Sequence, residues 1–173
     1  MRMKTETKLQ IRQSVANFHL PRYQQLPTTG LYLEQATRYI REYLTPLGDF
    51  PLTPSMISNY VKKGMVANPV KKQYGREQLA YLFFIAVAKN VLSLDALTGF
   101  IRLQQQTYSL ETAYNYFCDE FENFLEYTFG LKDTVSISGK DNTDEKHLLF
   151  ACIISAVQKI YLEKCLEAIA KEQ

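Results

Sequence analysis

Residues 51–82 constrain the fold more than any other part of the chain, because they combine a helical pattern, three prolines and a glycine stop. Thr53 precedes Pro54, an order that suits an N-cap followed by proline at the first helical position. Apolar side chains then recur at helical spacing. Gly64 follows, and glycine is typical of a left-handed C-terminal cap. The pattern predicts a helix over about 53–63.

The segment after this helix is basic and is predicted to form a small two-stranded wing over residues 64–74. A helix that binds in the major groove of DNA needs short polar side chains for base edges, with cations for the phosphates. Asn59 has the chemistry to pair bidentately with adenine. The candidate DNA-binding residues are therefore Ser55, Ser58, Asn59, Tyr60, Lys62, Lys63, Lys71, Lys72, Tyr74 and Arg76.

An alternative interpretation exists for the same residues. The lysine pairs are also typical of an ordinary solvated surface, and Tyr60 at its helical position also fits a core residue. Convergence of the basic residues on one turn favours the DNA-binding interpretation.

Charge is unevenly distributed, although the net charge is only +2. Residues 1–110 contain 14 Lys and Arg against 6 Asp and Glu, whereas residues 111–173 contain 6 against 12. This asymmetry is expected if the first part contacts a polyanion such as double-stranded DNA.

Composition indicates a globular protein with few of the residues that form catalytic or metal sites. Hydrophobic residues make up 46% of the 173 residues, which is enough for a core. The three cysteines form no close pair, which favours reduced thiols and a cytoplasmic location. No signal-like segment and no apolar run of about 20 residues is evident, so no membrane association is expected. With only two histidines, we expect no catalytic residues, no metal and no cofactor.

The other elements are predicted to be helices. They cover about 31–45, 76–90, a segment capped by Ser93, 109–129 and about 143–171, with a polar loop over 133–144. The first 20 residues predict only a loose helix. The expected division is residues 1–30 as an N-terminal extension, residues 31–106 as the winged part, and residues 107–173 as a C-terminal helical region.

Residues 52–103 resemble the winged helix-turn-helix of MerR-type regulators. The resemblance is carried by Ile57, Tyr60, Gly64, Met65, Tyr74, Glu77, Leu79 and the run Leu92-Ser93-Leu94-Asp95. Most of the chain also resembles a bacterial family known as domain of unknown function 1836. That second resemblance is carried by Leu20-Pro21-Arg22-Tyr23, Leu31-Tyr32, Thr53-Pro54-Ser55-Met56-Ile57 and Asn59-Tyr60-Val61-Lys62-Lys63-Gly64. Together they imply a MerR-like fold and DNA binding.

The chain departs from the MerR-type pattern at two places. Ser58 stands where such helices usually carry Arg, and Lys71-Lys72 replaces the usual Tyr-Arg pair of the wing. Lysine keeps the positive charge but lacks the bidentate geometry of arginine.

These observations predict an all-α, mainly helical protein with a MerR-like winged helix-turn-helix and a C-terminal helical region. The expected function is that of a transcriptional regulator that binds double-stranded DNA. It is expected to form a homodimer, with the last helix as the contact between the two copies. A protein-interaction module on the same scaffold is the alternative, and a small enzyme is a third hypothesis. The aromatic positions of the predicted helix 109–129 fit a plain core, a dimer contact or a pocket for a small-molecule effector.

Overall fold

The computed structural model describes residues 3–136, 139 and 142–172. The molecule is mainly helical (66%) and has one small antiparallel sheet within the described residues. The elements in chain order are α1 (Thr5–Gln13), β1 (Leu31–Tyr32), α2 (Leu33–Leu44), α3 (Pro54–Lys62), β2 (Gln73–Tyr74), α4 (Arg76–Ala88), α5 (Leu94–Thr107), α6 (Leu110–Thr128) and α7 (Asp144–Lys171). The expected all-α class is confirmed, although part of the predicted loop 133–144 lies outside the described residues.

Side-chain caps fix where four of the helices begin. Thr53 Oγ1 accepts a hydrogen bond from the Met56 amide at 3.2 Å, as the sequence predicts. The hydroxyl oxygens of Ser93, Ser109 and Thr143 each accept from the backbone amide three residues later. Each cap satisfies an amide that would otherwise lack a partner in the first helical turn.

The two-stranded sheet joins segments that lie about forty residues apart in the chain. Leu31 pairs with Tyr74, and Tyr32 pairs with Gln73. Leu31 and Tyr32 were predicted to start a helix, so the structure corrects that boundary by two residues. Gly30 makes the pairing possible, because a Cβ built on it would lie 2.6 Å from the Gln73 Cβ.

One hydrophobic core runs through the described part of the molecule. The central helix α4 is buried on almost every side, as predicted, because Leu79, Leu82, Phe83 and Ile85 are fully enclosed. Residues from all three predicted segments join the same cluster, among them Ile11, Leu26, Phe121 and Ile160. The proposed division at residues 30 and 106 stays a prediction.

Helix α6 packs most extensively on α7, and it also contacts α4. The long α7 in turn contacts α1 near its C-terminal end, where the Thr7 hydroxyl donates to the Glu172 carboxylate. Among the described helices, none combines the length and the hydropathy that a bilayer-spanning segment requires.

Candidate nucleic-acid interface

Helix α3 buries one face and exposes the other. Ile57 and Tyr60 are 0% and 3% exposed, and they pack into the core while α3 contacts α2. On the other face Ser55, Asn59 and Lys62 are exposed. This division follows from the helical period, because residues three and four apart lie on one face.

Lys63, which directly follows α3, is a further candidate residue that is exposed. Ser58, within the helix, is half-buried. The Gly64 amide donates to the Val61 carbonyl, and the Met65 amide donates to the Tyr60 carbonyl, both at 3.0 Å. Gly64 has a φ of 71°. This bonding is the Schellman motif, and it turns the chain sharply after Lys63, which is left exposed.

The basic segment 64–74 ends in a tight hairpin, but it does not contain both strands of the predicted wing, because β2 pairs with β1, which precedes α2. Val70 and Gln73 exchange two backbone hydrogen bonds of 3.1 and 2.9 Å, so Lys71 and Lys72 form a two-residue loop. Both lysines have positive φ, 49° and 64°, as a type I′ turn requires. Asn-Gly is the usual pair there, since a left-handed conformation costs a side-chain-bearing residue about 1–2 kcal/mol.

The four lysines have no charged partner among the residues that the structure describes. Lys62, Lys63, Lys71 and Lys72 are all exposed, and within the described residues none of them forms an ion pair. Residues 50–76 contain no Asp or Glu at all. The segment 50–76 therefore carries positive side chains without an acidic neighbour in its own sequence.

Three of the ten candidate DNA-binding residues have side chains that pack or bond within the protein instead of facing solvent. Tyr60 and Tyr74 are 3% and 4% exposed, and their rings belong to the core. The Arg76 guanidinium donates to the carbonyl oxygens of Gln24 (3.2 Å) and Leu26 (3.1 Å). These three side chains pack or bond within the fold and are not available as surface contacts. The remaining candidates, which stay a prediction, are Ser55, Ser58, Asn59, Lys62, Lys63, Lys71 and Lys72.

A cluster around Arg22 was not predicted from the sequence. Arg22 donates to both carboxylate oxygens of Glu122, at 2.7 and 2.8 Å, and to Asp119 at 3.0 Å. The hydrogen bond with Glu122 holds the pKa of Arg22 above its usual value. Glu122 also accepts from the Leu20 amide at 2.7 Å. Residues 20–26 are thus fastened to α6 at one end and, through Arg76, to α4 at the other.

The structure therefore defines a class: a mainly helical protein with an exposed, partly polar helix followed by a basic hairpin. The chain belongs to the family described as "Domain of unknown function (DUF1836)", whose model matches residues 21–117. The match covers β1, α2, α3, β2, α4 and α5 together with the start of α6. No curated protein and no solved structure matches the chain.

Proposed function

We propose that the protein is a transcriptional regulator that binds double-stranded DNA through a MerR-like winged helix-turn-helix. Helix α3 enters the major groove, and the lysines at its end and in the hairpin contact phosphates. The observation that carries the proposal is the exposure of four lysines at the end of α3 and at the hairpin tip, none of which forms an ion pair within the described residues, together with the exposed polar side chains of α3.

The architecture of the segment supports this assignment. Helix α2 packs on α3, and the hairpin strand β2 pairs with β1 immediately before α2. In helix-turn-helix proteins the second helix contacts base edges and the first crosses the backbone. Ser55 and Asn59 on the exposed face of α3 are short hydrogen-bonding side chains that suit base edges.

The hairpin tip adds a second line of support. Two lysines occupy left-handed positions where Asn-Gly would be less strained. Strained backbone concentrates at functional sites. Placing two cations at the tip, at a cost in stability, fits a contact with the DNA backbone.

The test measures binding of a mixed-sequence DNA duplex by fluorescence anisotropy across a series of salt concentrations. The test variant changes Lys62, Lys63, Lys71 and Lys72 to Ala. The wild-type affinity should fall steeply with salt, and each lost phosphate contact should reduce the slope of log K against log salt by about 0.9. The quadruple variant should therefore bind weakly and with a nearly flat salt dependence.

A matched control removes the same amount of charge elsewhere. Lys4, Lys8, Arg102 and Lys171 are exposed and lie outside α3 and the hairpin, so their change to Ala gives the same net charge. This control should keep most of the wild-type affinity. Equal binding by both quadruple variants would refute the proposal, and an absence of steep salt dependence would favour the protein-interaction module instead.

We also propose that two copies associate through α7. Positions along its outward face alternate steps of three and four, as in a coiled-coil contact, and none carries a charged residue. They are the exposed Leu148, Ala151, Ser155, Gln158 and Leu162, followed by the half-buried Cys165 and Ile169. Leu148, Leu162 and the neighbouring Leu166 are 50%, 57% and 56% exposed.

Changing Leu162 and Leu166 to Glu should turn a dimer into a monomer, as measured by light scattering during size-exclusion chromatography. Tyr127→Glu is the matched control, because Tyr127 is a similarly exposed apolar residue on α6. A wild-type monomer at high micromolar concentration would contradict the α7 contact. A dimer should place its two copies of α3 about 34 Å apart, which is one turn of DNA.

A further inference from the structure

A cavity of about 150 Å³ lies between α4, α5, α6 and the first turns of α7. Phe84, Phe100 and Phe117 form part of its wall. Phe84 stacks on Phe100 with ring centres 5.4 Å apart, and it meets Phe117 edge-on at 5.3 Å. An apolar cavity of this size accommodates a ring as large as benzene. Its dimensions therefore fit a ligand with one six-membered ring.

Two polar residues of the wall already have partners. Gln104 accepts a hydrogen bond from the Tyr81 hydroxyl at 3.0 Å and donates to the Tyr108 carbonyl at 2.9 Å. The Lys146 ammonium lies 5.1 Å from the centre of the Tyr116 ring, as in a cation–π contact. Neither Gln104 nor Lys146 provides the unused group that a polar ligand would need.

The Glu145 carboxylate differs from these two groups, because one of its oxygens has no partner within the described residues. This second residue of α7 lines the cavity and is only 6% exposed, and its Oε2 has no hydrogen-bond partner in the part of the chain that the structure describes. A buried acceptor without a donor is unfavourable, and the nearby N-terminus of α7 offsets only part of that cost. The terminal torsion of Glu is soft, so the carboxylate can turn toward a donor inside the cavity.

We propose that this cavity binds a small arylalkylamine, with its ring among the three phenylalanines and its protonated amine on Glu145. A cation is the favoured donor because a charge-assisted hydrogen bond to a carboxylate is about twice as strong as a neutral one. A ligand carboxylate would be repelled by the same group. The proposal stands apart from DNA binding, because the cavity shares no residue with α3 or the hairpin.

The test compares benzylamine, benzyl alcohol and benzoate, each titrated into the full-length protein and followed by calorimetry. Benzylamine should bind with one-to-one stoichiometry and at least about 10-fold more tightly than benzyl alcohol, because a hydrogen bond between two charged groups is stronger than one from a neutral hydroxyl. Benzoate should bind more weakly than benzylamine, because the Glu145 carboxylate repels an anion and the Lys146 ammonium in the same wall offsets only part of that repulsion.

Glu145→Gln should abolish the preference for the amine while leaving the affinity for benzyl alcohol unchanged within about 2-fold. The substitution keeps the side-chain volume and removes a buried charge, so it preserves folding. Glu163→Gln, an exposed acid on the same helix, is the control and should keep the preference. The proposal is overturned if benzylamine does not bind the wild type, or if Glu145→Gln binds it as tightly as the wild type does.

Discussion

Arg22 and the lysines of α3 and the hairpin carry the same charge but have different surroundings. Arg22 is held by Glu122 and Asp119, with its side chain 30% exposed and that of Glu122 16% exposed. The lysines at 62, 63, 71 and 72 are exposed and, among the described residues, have no acidic partner. The comparison teaches that the partners of a cation, more than its charge, indicate whether its side chain contributes to the fold.

The backbone differs between the two regions as well. Around Arg22 the side chain also satisfies the Leu20 carbonyl at 2.8 Å, so the ion pair and the backbone support each other. At the hairpin tip, Lys71 and Lys72 hold a conformation that disfavours them. The contacts of Arg22 stabilise the fold, whereas the backbone conformation of the hairpin tip destabilises it.

The largest expected effect comes from breaking the Arg22 cluster. Arg22→Ala should lower the free energy of unfolding by about 2–3 kcal/mol, because it leaves the partly buried Glu122 without its cation. Lys62→Ala should change it by no more than about 0.5 kcal/mol, as is usual for an exposed residue. Urea denaturation followed by circular dichroism measures both. Similar small changes in the two variants would remove the distinction drawn between the regions.

Alkaline pH is expected to have a smaller effect on the free energy of unfolding, through a thiol next to the Arg22 region. Cys118 lies beside this region, with its thiol 3.8 Å from the Pro21 carbonyl oxygen. Burial raises the pKa of the Cys118 thiol from 9.0 to about 12. The unfolded chain therefore releases this proton above about pH 9 while the folded chain keeps it, so stability falls as pH rises from 9 toward 12.

The fall attributable to Cys118 should reach about 1.4 kcal/mol by pH 10, because pH 10 lies one unit above the unfolded pKa of 9.0 and one unit corresponds to about 1.4 kcal/mol. Comparing the wild type with Cys118→Ala at pH 7 and pH 10 isolates this part from the titration of other groups. The difference in stability between the two proteins should shrink at pH 10. An unchanged difference would show that the thiol titrates alike in both states.

The smallest expected change in stability has the opposite sign and concerns the hairpin. Replacing Lys71 with Asn and Lys72 with Gly should raise the free energy of unfolding by about 1 kcal/mol, because Asn-Gly suits a type I′ turn. Under the proposed function the same variant should bind DNA more weakly, with a salt slope smaller by about two.

A variant with Gln at both hairpin positions separates the two effects. It keeps the unfavourable backbone and removes the charges, so stability should stay near the wild-type value while DNA affinity falls. A more stable Asn-Gly variant that binds DNA as tightly as the wild type would show that the lysines have no role in binding.

Local signals made much of the fold predictable. The hydroxyl residues at 53, 93, 109 and 143 act as caps through bonds to amides three residues away, and such short-range chemistry is visible in a sequence. The glycine stop after α3 is equally local. The exposure of Ser55, Asn59 and Lys62 follows from helical spacing once the buried face is known.

The remaining features depend on contacts between distant parts of the chain. Strand β1 has two residues, too few for a recognisable alternation, and its partner lies about forty residues away. Arg76 resembles any surface cation until the carbonyls of Gln24 and Leu26 are placed beside it. The cavity combines residues from four helices, so the aromatic pattern of α6 alone could not separate a pocket from a solid core.

The short stretch from Leu20 to Tyr32 has a practical consequence for anyone who wishes to trim the protein. Leu20 and Leu26 are buried, Arg22 is bound to α6, and β1 supplies the neighbour that β2 requires. A fragment beginning at Leu31 would leave Arg76 and Glu122 without their partners. The smallest useful fragment must therefore start before Leu20 and reach past Glu122, even if only the helix–hairpin part is wanted.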